Sequence, residues 1–165
     1  MNWHLAHRFD KQAVLVADRH YNRQTIGSPQ YMPPGRAFCL KAKAEQGEAV
    51  WGTSWPLEEY TRHEWAGAWM CSIFRNEGAG RSSTMIREAV AATRFWYGEP
   101  PALGMVTFVN PKHVREKQDP GHCFIIAGFR PVGFTKIHGL IALQLLPGKM
   151  PPPAAAIGMN QVLDL

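Results

Sequence analysis

Between residues 69 and 109 the chain reads as a strand, a glycine turn, a helix and a second strand, and that order restricts the fold more than any other stretch. Trp69-Met70-Cys71-Ser72-Ile73-Phe74 is a short apolar run rich in strand-forming types. Arg75-Asn76-Glu77-Gly78-Ala79-Gly80 follows as an R-x-x-G-x-G turn. Arg81-Ser82-Ser83-Thr84 then leads into a helical pattern with Met85, Ile86, Ala89, Val90 and Thr93 on one face. Tyr97-Gly98-Glu99-Pro100-Pro101 stops that helix, with glycine just past its end and prolines beyond. Residues 103–109 are nearly continuous in apolar types, as in a strand buried on both faces, and Asn110-Pro111 breaks the run. Two strands joined through a helix are predicted to lie parallel.

The turn itself carries chemistry. Glycines let backbone N–H groups approach an anion closely, and a helix N-terminus adds partial positive charge. That geometry fits the pyrophosphate of a nucleotide-like cofactor. The same six residues also fit a plain tight turn, with Ser82 or Ser83 capping a surface helix.

Elsewhere the pattern is coarser. A first strand is expected over 3–8, and Asp10 caps a helix reaching about Arg19, with Val14, Ala17 and Tyr21 along one face. Residues 22–35 form a long loop holding Gly27, Ser28, Pro29, Pro33, Pro34 and Gly35. Strands are expected over 37–43 and 49–54 around a turn at Gln46-Gly47, then a loop with a short helical turn over 55–65. Asp119 suits an N-cap, Pro120 a first helical position and Gly128 a C-terminal cap, framing a short helix. Strands over 129–135 and 140–146 close the series. No internal repeat is present.

With 45% hydrophobic residues, including eight Phe, six Trp and four Tyr, a chain of 165 residues can bury one compact core. One domain is expected over 1–148, with a Pro/Ala-rich tail over 149–165 that packs on the surface or on a partner. Cys39, Cys71 and Cys123 are widely spaced and odd in number, which argues for a reduced protein and a cytoplasmic location. No apolar run approaches a membrane span, and the start lacks the apolar core of a signal peptide. Seven scattered histidines offer no metal-ligand spacing, so no metal ligands are assigned and metal use stays open.

Lys and Arg number 18 against 13 Asp and Glu. The excess is gathered at 19–23 (Arg19-His20-Tyr21-Asn22-Arg23) and at 112–117 (Lys112-His113-Val114-Arg115-Glu116-Lys117). Such clusters suit nucleic-acid phosphates, the ribose 3′-phosphate of a cofactor, or a solvated face.

On the strand, R-x-x-G-x-G turn, helix and strand, followed by Val109-Asn110 and a Gly128-Phe129 pair, the chain resembles the GNAT-type (GCN5-related) N-acyltransferases. The resemblance spans about 3–146, with its specific motifs between 69 and 133. It implies an α/β (α+β) fold: a mixed, mostly antiparallel central sheet of six to seven strands with helices on both faces. It implies acetyl-CoA or another acyl-CoA as cofactor. Amides of Ile73, Phe74 and Arg75 would meet the pantetheine, those of Gly78, Ala79, Gly80, Arg81 and Ser82 the pyrophosphate, and Asn110 would follow the second strand. The family often carries a tyrosine that protonates the leaving thiolate; that position here is Phe124, which has no proton to give. Cys123 and His122 stand beside it as substitutes. Candidates on the acceptor side are His20, Tyr21, Arg23, Glu64 and Asp119.

His20-Tyr21-x-Arg23 ahead of a Pro-rich loop, the Phe74-Arg75 approach to the turn and Asp119-x-Gly121 also resemble the phage Mom-type DNA-modification proteins. These are divergent members of that fold that act on the exocyclic amine of adenine. That resemblance implies a flipped base, with Tyr21, Tyr31, Trp51, Trp55 and Trp65 as stacking surfaces and both basic clusters tracking the backbone. Three readings stay open: an N-acyltransferase acting on a small amine or protein, a modifier of DNA or nucleotides, and a non-catalytic binding or inhibitory protein that lost its acid at Phe124. Oligomeric state is open as well.

Overall fold

The computed structural model describes residues 1–20, 23, 25–113 and 121–159. Seven strands form one sheet: β1 (His4–Ala6), β2 (Ala37–Ala44), β3 (Gly47–Ser54), β4 (Trp69–Asn76), β5 (Met105–Val109), β6 (Arg130–Phe134) and β7 (Ile141–Leu145). Their spatial order is β1-β2-β3-β4-β5-β7-β6. Every neighbouring pair is antiparallel except β4 and β5, which are parallel and joined through a helix, as the sequence order predicts. The helices are α1 (Lys11–Asp18), α2 (Ser82–Tyr97) and α3 (His122–Ile126). The class is mixed α+β, with a mostly antiparallel open sheet.

Local chemistry sets the helix limits. Asp10 caps α1, its Oδ1 accepting from the N–H of Gln12 and Ala13 while its Oδ2 takes the Lys41 ammonium at 2.7 Å. The buried face of α1 is Ala13, Val16 and Ala17. It is therefore turned one position from the expected Val14–Ala17 stripe, because packing against Cys39, Val50 and Ile73 sets the phase. In α2 the expected face is the buried one: Met85, Ile86, Ala89, Val90 and Thr93 are all interior. That helix ends at Gly98, whose φ of 85° and N–H bond to the Arg94 carbonyl close the last turn. For α3, Gly121 in the left-handed region occupies the N-cap position and His122 begins the helix; Asp119 and Pro120 lie outside the described residues.

Three clusters of buried apolar residues form, the smallest being Trp65, Ala68, Met70, Val106 and Ala142, and strand alternation separates the two larger ones. Phe38, Leu40 and Ala42 of β2 join Trp51, Trp69, Met85, Ile86, Val90, Phe129, Leu143 and Leu145 in the larger cluster, with α2 and α3. Cys39, between them on β2, joins Val50, Ile73, Tyr31, Met32 and the buried face of α1. A buried chain of side-chain hydrogen bonds ties β3 to α2. Trp51 Nε1 donates to Thr53 Oγ1, which meets Thr93 Oγ1 at 3.0 Å, and Thr93 Oγ1 donates to the Ala89 carbonyl.

β1 and β4 differ in length from expectation. β1 is three residues long because Trp3 turns inward, its indole N–H bonding the Met85 carbonyl. β4 runs on to Asn76, so Arg75 and Asn76 are strand residues, held by pairing with Val50 and Ala49. The tail packs on its own chain over its described part. Met150, Ala156 and Met159 are buried, and Ile157 exchanges backbone bonds with Trp3 and Leu5, both 2.9 Å. Among the described residues, no helix is long and apolar enough to cross a membrane.

The β2–β3 turn is pressed against the segment after β4. A Cβ at Gly47 would lie 1.8 Å from the Glu77 carbonyl oxygen, and Gly78, at φ 115°, has the Gln46 carbonyl oxygen 2.7 Å from its own Cβ position. Gly47→Ala is expected to lower unfolding free energy by about 1–3 kcal/mol, the usual cost of overpacking. Urea denaturation checks this; an unchanged midpoint contradicts the close approach.

Candidate functional site

The sheet opens where β4 carries an extra residue. Gly52 pairs with Ile73 but Thr53 pairs with Cys71, leaving Ser72 as a bulge, and its hydroxyl meets Ser54 Oγ at 2.7 Å. A bulge bends and over-twists its strand. β4 and β5 pair only at Trp69–Met105 and Met70–Val106, although β4 continues to Asn76 and β5 to Val109. Where they part, Thr107 Oγ1 donates to the Cys71 carbonyl at 3.2 Å. The resulting cleft is narrow, about 40 Å³, and is lined by residues 71–74 and 107–109 together with His20 and Phe124. Strand edges that diverge leave backbone donors and acceptors without ladder partners, a template for an extended guest chain.

Beyond the cleft lies the glycine turn. Asn76 organises it with four side-chain bonds: Oδ1 accepts from the N–H of Gly78 and Ala79, and Nδ2 donates to the Gly80 carbonyl and to Ser82 Oγ. The N–H groups of Gly78 and Ala79 are thus taken by the chain itself, and Ala79 is buried. The donors that remain for an anion are those of Gly80 and the first turn of α2. Ser82 and Ser83 do not cap the helix; Arg81 holds the N-cap position without a side-chain bond, so the positive end of a 16-residue helix stands uncapped.

Arg75 does not face an open loop either. Its Nε donates to Glu77 Oε2 at 2.8 Å, and the same carboxylate takes a forked pair from Arg19, Nε at 2.8 Å and Nη2 at 2.6 Å. The Arg19 bonds above all, aided by Arg75, hold the Glu77 carboxyl down at about 2 against a partial burial penalty.

His20 lines the β4–β5 cleft: residues 13, 16, 17 and 20 share the sheet-facing side of the α1 helix and its last turn. Arg23 is committed elsewhere, its Nε to Asp18 Oδ1 at 2.7 Å and its Nη2 to the Ser28 carbonyl at 2.9 Å. Tyr21 and Asp119 lie outside the described residues. Cys123 is half-buried next to Phe124, and burial pushes its thiol pKa up, so it stays protonated at neutral pH. His122 and Glu64 are exposed. Asn110 Oδ1 accepts from the Lys112 N–H, shaping the turn after β5. Phe124 packs edge-on against Phe74 and Phe129 as a core ring.

The proposed stacking aromatics are core residues for the most part. Trp51 is fully buried, Trp65 packs between His63 and Phe108, and Trp55 carries Arg36 over its ring at 4.3 Å. The described arginines of the 19–23 cluster are both ion-paired. In the 112–117 cluster, residues 114–117 lie outside the described residues. Among the described residues, no group of three His, Cys, Asp or Glu is placed to hold a metal ion.

A second space adjoins the cleft. A chamber of about 520 Å³ is lined by residues 23, 25, 28 and 30–34 and shares Ser72 and Ile73 with the cleft. Arg23, with a side chain only 9% exposed, lines it. So do Gln30 and Tyr31, whose Oε1 and hydroxyl are buried without a hydrogen-bond partner among the described residues. A buried polar atom left unpaired is costly, and a ligand that supplies the missing bond recovers that cost. Asp18 holds the chamber's roof through Arg23 and through the Gly27 N–H at 3.3 Å. Sequence reasoning missed Gln30, Asn76, Glu77 and the Ser72 bulge. An Asn two residues before a glycine is a readable turn signal, whereas Arg19 and Glu77 stand 58 residues apart.

No family model, curated protein or solved structure matches this chain.

Two outcomes follow from this geometry. Asn76→Ala removes the four loop bonds and is expected to cost about 1–2 kcal/mol, with faster hydrogen exchange at the Gly78 and Ala79 amides; unchanged exchange contradicts the assignment. For Glu77 the folded-state pKa is depressed from an ordinary 4.5 to about 2, so its contribution is complete above pH 4.5 and lost as pH falls toward 2. Acid denaturation of Glu77→Gln should therefore lack the part of the stability loss that the native chain shows between those values. Identical acid curves contradict the ion triad.

Proposed function

We propose that this chain is an acyl-CoA-dependent N-acyltransferase of the GNAT type. The observation that carries the reading is the parting of two parallel strands at a bulge, with an uncapped helix N-terminus at the far end of the opening. In this reading α1 covers one face of the sheet and α2 with α3 the other, as the two larger clusters favour.

The residues present fit such a cofactor. The β4 edge at Ile73, Phe74 and Arg75 offers backbone groups for the amides of an extended pantetheine arm, which would have to widen a cleft of about 40 Å³ on entering. Gly80, Arg81, Ser82 and Ser83 offer N–H groups and the helix dipole for the pyrophosphate. When bound, the acyl-CoA supplies an activated thioester carbonyl whose thiolate leaves on attack by an amine. The chamber holds that amine in line with the cleft at Ser72 and Ile73, so proximity and orientation, with no protein nucleophile, supply much of the rate. His20 is the group in the cleft suited to carry the proton from the attacking amine. Phe124 cannot return one to the thiolate, and the Cys123 thiol, protonated beside it, is the nearer donor by sequence.

A second reading, transfer to the exocyclic amine of a DNA base in the Mom manner, has one specific support. The chamber is ample for a single base and is lined by Gln30, Tyr31 and Arg23, residue types suited to a base edge. Binding to DNA at low salt that falls steeply as salt rises would favour it. Loss of cofactor binding altogether would favour a non-catalytic protein.

Calorimetry with CoA and acetyl-CoA tests the reading. Gly80→Asp is the cleanest variant, since a Cβ there meets only the flexible Met85 side chain, nearest at 3.3 Å. Gly78 is less suited, because its positive φ and the Gln46 backbone would strain any side chain. Gly80→Asp is expected to weaken CoA binding by about tenfold or more, a penalty of ~1.4 kcal/mol, with the thermal midpoint retained. No heat from the native chain at millimolar CoA contradicts the reading.

A further inference from the structure

We propose that Thr107 is a latch on the β4–β5 cleft: its hydroxyl holds the Cys71 carbonyl, and a guest enters by putting an N–H of its own in that place. The inference rests on the cofactor reading for the identity of the guest. The latch itself rests on strand geometry.

Pairing between β4 and β5 ends at Met70 and Val106, so Cys71 is the first β4 residue past the ladder. The Trp69 N–H bonds the Gly104 carbonyl at 2.9 Å, which turns the backbone groups of Trp69, and two residues on those of Cys71, across to β5. In a continued ladder a β5 N–H would take the Cys71 carbonyl. The strands have parted, and a side chain takes it instead, Thr107 Oγ1 donating at 3.2 Å. Both residues are buried and both line the cleft. A buried carbonyl without a donor is costly, so the hydroxyl satisfies a group that the parting of the strands would otherwise orphan.

The same hydroxyl stands in the way of a guest. A cleft of about 40 Å³ admits an extended arm only if something in it moves. The strands themselves are held from outside: β5 pairs with β7 from Met105–Leu145 to Val109–Ile141, and β4 pairs with β3 out to Asn76. Turning one side chain about χ1 costs less than breaking either ladder. The displaced hydroxyl keeps a weak partner at hand, because the Cys71 thiol lies beside it. The Cys71 carbonyl then needs a new donor. The cleft therefore favours a guest with an amide N–H near its inner end, as a pantetheine arm carries beside its sulfur. A plain alkyl thioester would leave the carbonyl unpaired.

Calorimetry of the full chain tests the latch in the native protein and in Thr107→Val, which keeps the branched shape and removes the donor. The probes are CoA and adenosine 3′,5′-bisphosphate, the part of CoA that lacks the arm. In Thr107→Val the guest N–H no longer displaces a bond, so CoA is expected to bind about fivefold more tightly, the equilibrium worth of one neutral hydrogen bond. Affinity for the bisphosphate is expected to stay unchanged. A threonine that merely braced the two strands would give weaker CoA binding when replaced. Equal or weaker CoA binding in Thr107→Val overturns the latch, and so does an equal gain for the bisphosphate. If neither protein binds CoA at millimolar concentration, the cofactor reading falls and the latch with it, an outcome told apart by the absence of any CoA heat. If Thr107→Val does not fold, the native chain decides. Nuclear magnetic resonance couplings that report Thr107 χ1 are expected to change when CoA saturates the protein, and an unchanged rotamer overturns the latch.

Discussion

The bulge at Ser72 is the constraint on which the site depends. A parallel pair in the middle of a sheet would normally be sealed along its length, with every inward N–H and C=O matched. Here one residue too many on β4 shifts its register against β3 between Gly52 and Thr53, and pairing to β5 lasts only through Met70 and Val106. The fold tolerates the opening because the sheet is anchored on both sides of it. β3 and β4 stay paired out to Ala49 and Asn76, and β5 and β7 stay paired along all of β5. Thr107 Oγ1 on the Cys71 carbonyl and the ring of Phe124 against Phe74 cover part of what the bulge exposes.

What surrounds the opening is organised in advance. Asn76 takes up loop amides that would otherwise be unpaired, and Glu77 takes up two guanidinium groups that would otherwise repel one another. A loop fixed by its own side chains loses little further entropy when an anion arrives, the general advantage of preorganisation. It also means that an anion at this turn would meet fewer amides than an R-x-x-G-x-G pattern promises, since Gly78 and Ala79 are already committed to Asn76. The chamber is the opposite case. Gln30 Oε1 is buried without a hydrogen-bond partner among the described residues, and burial together with the nearby Cys39 thiol pushes the Tyr31 hydroxyl pKa well up, so it stays neutral.

Much of the fold could be read from the chain because its signals are local. The buried face of α2, the Asp10 cap, the glycine stop at Gly98 and the parallel β4–β5 pair all follow from periodicity and capping within a few residues. What could not be read depends on distant register. No residue type marks Ser72 as a bulge, since that position is set by how β3 and β4 slide past one another. The phase of α1 came out one residue off because Val14 and Ala17 satisfy a helical stripe as well as Ala13, Val16 and Ala17 do; only the sheet decides. Sequence does not say which aromatic faces inward, so tryptophans suited to stacking and tryptophans of the core read alike, and Trp51 is at the centre of the core. The Arg19–Glu77–Arg75 triad joins residues far apart in the chain, so its arginines read as surface charge.

Backbone hydrogen exchange with and without CoA examines the central claim directly, because the account assigns the guest to named amides on a strand edge. CoA is expected to slow exchange within Ile73 to Arg75 and from Gly80 into the first turn of α2, leaving β1 and β2 unchanged. Protection that falls elsewhere, or none at these amides under conditions where CoA binds, would contradict a cofactor cleft between β4 and β5.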